Sequence, residues 1–189
     1  MNAGADWSQG YVTDVAYTNS FFRELSPAWL NHVAVSSGAH PRPLEEAFTH
    51  LDLGCGLGQT SIVLAGCFPQ GRFFGVDFNP AHIDTARHSA AKLGLDNVRF
   101  IERAFEELLE VELPEFDFIT LHGIYSWIND DARRAVQRFI YARLKPGGSE
   151  YPHTLYKKAG LDMATPAPYQ ALMARMNRRM EQIDALEKK

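Results

Sequence analysis

Two acids and three glycines are the residues whose types and spacing suit chemistry. In LDLGCGLGQT, residues 51 to 60, Asp52 precedes Gly54, Gly56 and Gly58 at alternate positions, and Asp77 closes a second apolar run 19 residues after Gly58. Glycine weakens helices and strands alike, so three in five positions call for a sharp backbone turn or the close approach of a ligand. Between a strand and the helix that follows it, the loop amides and the helix N-terminus would receive polar or anionic groups. A carboxylate at the end of the next strand, where Asp77 lies, would accept both hydroxyl protons of a ribose.

The pattern departs from the dinucleotide fingerprint G-x-G-x-x-G, because the third glycine comes one residue early and Gln59 follows it. Asp52, two residues before the first glycine, is awkward beside a pyrophosphate but suits a ligand that carries an ammonium group. S-adenosylmethionine offers an ammonium, a carboxylate, a sulfonium and a ribose, and is preferred here to a nicotinamide dinucleotide. The competing reading of Asp52 and Asp77 is a pair of surface acids at strand ends. Cys55 lies inside the loop and is counted with its contact residues, as a small packing residue rather than a reactive thiol.

These residues need a frame, and the apolar periodicity supplies one. Ser26-Pro27 opens a helix with Trp29, Leu30, Val33 and Ala34 on its apolar side, ended by Gly38; residues 40 to 43 form a linker. From residue 49 the pattern alternates. THLDLG reads as a buried strand, Gln59 to Phe68 as a helix, and residues 72 to 78 as a second strand. Asn79-Pro80 caps a helix bearing Ile83, Ala86, Ala90 and Leu93 on one face, which ends at Gly94. Residues 97 to 103 form a third strand, AFEELLEV a short helix, residues 116 to 123 a fourth strand, and Asp130 to Leu144 an amphipathic helix. Strands and helices alternating at this spacing imply a Rossmann-like, doubly wound, mainly parallel α/β sheet.

Composition narrows the classes. The formal net charge is −4, the pI is about 6.0, and no lysine or arginine run forms a basic stripe, so no nucleic-acid partner is expected. No apolar run approaches the roughly 18 to 20 residues of a membrane span. Cys55 and Cys67 lack CxxC spacing and the N-terminus lacks a signal pattern, which together suggest a reduced, cytoplasmic protein. His32, His40, His50, His82 and His88 show no ligand spacing with cysteines or acids, so no metal is expected. Glu106, Glu107, Glu110 and Glu112 read as a solvated face.

LDLGCGLGQT, FFGVDFNPAHIDTAR, LGLDNVRFI, FDFITLHGIYSWI and LKPGG, in that order, resemble the successive motifs of class I S-adenosylmethionine-dependent methyltransferases. HGIYSWI and the N-terminal YVTDVAYTNSFFRELSPAWL make the chain similar to bacterial members that carry a methyltransferase regulatory domain. The resemblance covers about residues 11 to 148. It implies that Asp52 and the loop glycines hold the methionine part of the donor, that Asp77 holds the ribose hydroxyls, and that Phe78 lies against the adenine. Many relatives place an acid after the third strand to meet the adenine amino group. Ala104 occupies that position here, leaving the Phe105 amide or Glu106 as substitutes. His122 and Gly123 would line the methyl-donor pocket. A sulfonium methyl is already activated, so a modest base suffices. Histidine is the side-chain type that exchanges protons near neutral pH, so His122 is the first candidate and Tyr125 the second; Tyr125 and Trp127 are either an aromatic wall for substrate or a cap on the sheet.

Three regions follow: an N-terminal helical segment or lid at residues 1–43, an S-adenosylmethionine-binding domain at 44–148, and an atypical tail at 149–189. After LKPGG the family would continue with a fifth strand, a helix and an antiparallel pair. This chain continues SEYPHTLYKKAGLDMATPAP, with Pro152 inside the only strand candidate and TLYKKAG resembling a cloning scar. Tyr169 to Lys189 then reads as an amphipathic helix with Met173, Met176, Met180, Ile183 and Leu186 on a stripe. The fourth strand would be left as a sheet edge, which implies a truncated or rearranged chain or a domain completed by another subunit, with the tail helix covering the exposed face or a homodimer formed through that edge or through the tail helix. The functional readings are a methyltransferase with an unidentified acceptor, small molecule or protein, and a non-catalytic S-adenosylmethionine-binding or regulatory protein. A nicotinamide-dependent oxidoreductase is a third.

Overall fold

The computed structural model describes residues 20–36, 40–124 and 128–145. The expectations for Gly38, Tyr125 and Trp127, for the first 19 residues and for the tail from residue 149 lie outside them.

Ser26 begins the first helix as its side chain suggests: its hydroxyl accepts the Trp29 amide at 3.2 Å, and α1 runs Pro27–Ser36. Trp29 does not join the core of this helix, however. It is 39% exposed, with the Arg23 guanidinium 5.4 Å over its ring, while Ala34 is buried.

Four parallel strands follow, β1 (Phe48–Leu53), β2 (Gly71–Asp77), β3 (Val98–Glu102) and β4 (Phe118–Leu121), in the spatial order β3-β2-β1-β4. The helices between them are α2 (Gln59–Cys67), α3 (Pro80–Lys92) and α4 (Asp130–Arg143), with a 3-10 helix at Phe105–Glu110. Alternation within the strands assigns two layers. Phe48, Phe73, Phe100 and Phe118 pack with Ile62, Leu64, Ile83, Ala86 and Ala90 of α2 and α3. Leu51, Leu53, Val76, Ile101 and Ile119 pack on the other face with Leu108 and with Val136, Phe139 and Ile140 of α4. The sheet is thus doubly wound, and among the described residues β4 is an edge strand.

Three details differ from the periodicity. AFEELLEV forms a 3-10 helix, and its Leu109 points outward while Leu108 is fully buried. The fourth strand is shorter than residues 116 to 123, because Phe116 leaves β1 to bridge Leu144 and Gly123 turns the chain away with φ 70°. Leu93 is 64% exposed; the left-handed Gly94 (φ 67°) reverses the chain so that Leu95 packs inward in its place.

His50 is fully buried in β1, between the rings of Phe73 and Phe118. Its Nε2 lies 3.0 Å from the Leu25 carbonyl, which only accepts, so Nε2 carries the proton; Nδ1 has no hydrogen-bond partner. Burial pushes the ring's pKa down to about 4, against a smaller upward pull from the Leu25 carbonyl. The folded pKa lies below that of the unfolded chain, so the unfolded state binds the proton first. Stability from this site is therefore present above about pH 6.5 and lost as pH falls toward 4, to a total of about 3 kcal/mol. Urea titrations across that range will show a flatter acid slope in His50→Gln, which keeps a donor but cannot titrate. Equal slopes would remove this histidine as a cause of acid sensitivity.

Candidate functional site

The glycine loop after β1 has the conformation its residues imply. Gly54, Gly56 and Gly58 have φ values of 75°, 53° and 73°, all in the left-handed region. The amides of Gly54 and Cys55 both donate to the Val76 carbonyl, at 2.8 and 3.0 Å, which ties the loop to β2. Gly58 then starts α2 and serves close packing: a Cβ there would stand 2.6 Å from the Phe100 ring and 2.8 Å from the Ala86 Cβ. Gly75 in β2 is a second close approach, where a Cβ would meet the Phe100 ring and lie 2.9 Å from the Cys55 sulfur. Burial pushes the Cys55 thiol up, helped by Asp52 and Asp77, so this cysteine packs as a neutral small residue.

Asp77 joins the loop to the following helix. Its Oδ2 accepts the Gly56 amide and its Oδ1 the Asn79 amide, each at 2.9 Å, with His82 Nδ1 3.5 Å from Oδ1. Asn79 in turn caps α3 by accepting the Ala81 amide. Each carboxylate oxygen of Asp77 keeps a second lone pair, so the group is both loop anchor and acceptor.

Asp52 stands opposite Gly75 of β2 and Thr120 of β4. It is buried, and Thr120 Oγ1 lies 3.5 Å from its Oδ1 while also 3.2 Å from the Leu51 carbonyl. Desolvation raises the Asp52 carboxyl to about 7; Thr120 and Ser61 pull it down and Asp77 pushes it up. The Ser61 hydroxyl, in the first turn of α2, is fully buried and makes no hydrogen bond.

The remaining candidates ring this centre. Phe78 is half-buried beside Asp77, while Ala104 and Phe105 are buried at the start of the 3-10 helix after β3. Glu106, Glu107, Glu110 and Glu112 are exposed. His122 is also exposed, stacked on Phe22 with ring centroids 3.9 Å apart. The Phe22 amide donates to Thr60 Oγ1 at 3.1 Å in the first turn of α2, so the segment before α1 is pinned beside the loop. Hydrogen bonds and strand register therefore bring Asp52, the loop and Asp77 together. His122 instead belongs with Phe22, beyond the end of β4.

Thr120, Ser61, Thr60 and Phe22 were not singled out by spacing. Thr120 comes beside Asp52 only through the parallel register of strands far apart in sequence. Thr60 and Ser61 directly follow the loop, and their position in a helix's first turn was the available signal. Among the described residues no cluster of three or more histidine, cysteine or acidic side chains could hold a metal ion.

Residues 51–148 match the family described as methyltransferase domain. An uncharacterized protein of Synechocystis sp. is 42% identical over 172 residues, which is 91% of this chain and 33% of that protein. A carboxy-S-adenosyl-L-methionine synthase of Chromohalobacter salexigens is 32% identical over 99 residues, covering 51% of this chain and 36% of that enzyme. The structure of PKMT2 from Rickettsia typhi in complex with AdoHcy superposes with a TM-score of 0.65 at 26% identity, over 69% of this chain and 25% of that one. The chain thus spans only 25% to 36% of the length of these three proteins.

Proposed function

The chain belongs to the methyltransferase domain family, and from that premise we propose that it transfers a methyl group from S-adenosylmethionine to an acceptor yet to be identified. One observation carries the donor site: Asp77 binds the Gly56 amide and the Asn79 amide together, so that carboxylate and glycine loop form one unit. That unit lies at the carboxyl ends of β1 and β2, beside the β1/β4 switch point where doubly wound sheets bind ligands.

The residues present suit the donor. Asp77 would accept ribose hydroxyls, Asp52 would face an ammonium, and the left-handed glycines would present backbone amides without side chains. Phe78, Ala104 and Phe105 supply apolar surface for an adenine. When bound, the donor contributes a methyl group already activated on its sulfonium. The protein's part is to orient, to exclude water and to accept a proton where the acceptor must lose one. His122, held against Phe22, is the proposed base, with Tyr125 as second candidate. No helix among the described residues is long and apolar enough to cross a membrane.

Calorimetric titration with S-adenosylhomocysteine, paired with transfer of labelled methyl from S-adenosylmethionine into cell extract, tests the reading. Binding with incorporation that drops at least tenfold in His122→Ala supports methyl transfer with His122 as base. Binding without any labelled product supports the non-catalytic reading. Binding of NADH in place of S-adenosylhomocysteine would overturn both.

A further inference from the structure

Three buried aspartates differ sharply in their surroundings. Asp117 accepts from the Thr49 amide, Arg42 Nε and Lys145 Nζ, at 2.8, 3.1 and 2.7 Å. Asp77 accepts two backbone amides and has His82 beside it. Asp52, equally buried, has neither a cation in ion-pair range nor a backbone amide among the described residues; the Thr120 hydroxyl approaches its Oδ1 to 3.5 Å. Asp77 on β2 adds a second negative charge to the same face. Ser61 on α2 brings a fully buried hydroxyl toward Asp52 that is otherwise unused.

The other titratable groups on this side do not compensate. Cys55, in the loop, is held neutral, and His50, two residues earlier on the same face of β1, is neutral by burial and committed to the Leu25 carbonyl. A carboxylate so placed has no counter-charge, and in such surroundings a carboxyl group keeps its proton.

Resting on the donor-site reading above, we propose that Ser61 and Thr120 position Asp52 as a neutral carboxylic acid in the free protein, and that Asp52 surrenders its proton to solvent when a cationic amine binds beside it. In that exchange the O–H bond of Asp52 breaks, its electron pair stays on the oxygen, and the proton passes to the buffer. The amine keeps all its protons and gains a carboxylate partner. Ser61 and Thr120 act as positioning residues, because both hydroxyls pull the Asp52 pKa down and so ease creation of the ionised form. Donor binding is consequently proton-linked. The free group titrates at about 7, so affinity rises by up to tenfold per pH unit below neutrality and levels off above it.

Titration with S-adenosylhomocysteine in buffers of different ionisation heat counts the protons. About one proton is released per ligand near pH 6, falling toward zero near pH 8. Asp52→Asn will bind at least tenfold more weakly at pH 8 and release none. Thr120→Val and Ser61→Ala will still bind at high pH, but proton release will persist to higher pH, since the ionised acid has lost a donor. His50→Gln will release the parent's number of protons. Binding without proton release in the parent, or release undiminished in Asp52→Asn, overturns the proposal and leaves the donor site standing. Release unmoved in both hydroxyl variants also overturns it. Failure of the folded parent to bind at any pH overturns the donor site as well.

Discussion

Asp77→Asn will bind S-adenosylhomocysteine at least about a hundredfold more weakly than the parent, close to 3 kcal/mol. The argument starts from the two amides that converge on this carboxylate, from Gly56 and from Asn79. An asparagine offers one oxygen, so its amino group must face one of those N–H donors. That misfit costs about 1 to 3 kcal/mol and loosens either the loop or the start of α3. On the proposed donor site, hydrogen bonds from ribose hydroxyls to a charged acceptor would be lost in addition. Calorimetry reads the binding loss, and thermal unfolding shows that the variant still folds. A loss below tenfold would remove Asp77 from ribose contact and leave it as a loop anchor only.

Gly58→Val carries the larger expected penalty in stability, about 3 to 5 kcal/mol. Two separate causes add. The backbone at Gly58 is left-handed at φ 73°, which β-branched residues avoid. A Cβ would also stand 2.6 Å from the Phe100 ring and 2.8 Å from Ala86, both buried in the cluster formed with Ile62, Ile83 and Ala90. Neither neighbour has room to yield in a close-packed interior. Gly94→Ala separates the causes: φ there is 67°, but nothing lies within 4 Å of an added Cβ, so only backbone strain of about 1 kcal/mol is expected. Urea midpoints of the two variants measure the contrast. A Gly58→Val as mild as Gly94→Ala would mean that α2 shifts to accommodate the side chain.

The sequence carried the frame of this site better than its walls. Strand and helix order followed from periodicity, and the left-handed turns of the glycine loop from spacing alone, because both depend on residues near one another. Ser26-Pro27 and Asn79-Pro80 placed two helix starts for the same reason. Leu93 failed because a single left-handed residue after the helix decides which leucine turns inward, and periodicity stops at the helix end. Thr120 beside Asp52, and Phe22 over His122, were illegible because each pair joins segments that only the completed fold brings together. Gly75 was legible in principle. A glycine inside a strand signals close approach, and here it makes room for the Cys55 sulfur and the Phe100 ring.

The strand order also has a consequence in time. β1, β2 and β3 are joined in succession by α2 and α3, so each new strand docks on the one just formed. β4 instead returns to β1, and its first contacts, such as Thr49 with Asp117, close a span of 68 residues. Closing the longer loop costs about 1 kcal/mol more in chain entropy than closing one a third as long. Loop-closure entropy therefore favours an assembly sequence in which the glycine loop and Asp77 form within the first three strands. Thr120 and the segment bearing His122 arrive with the last.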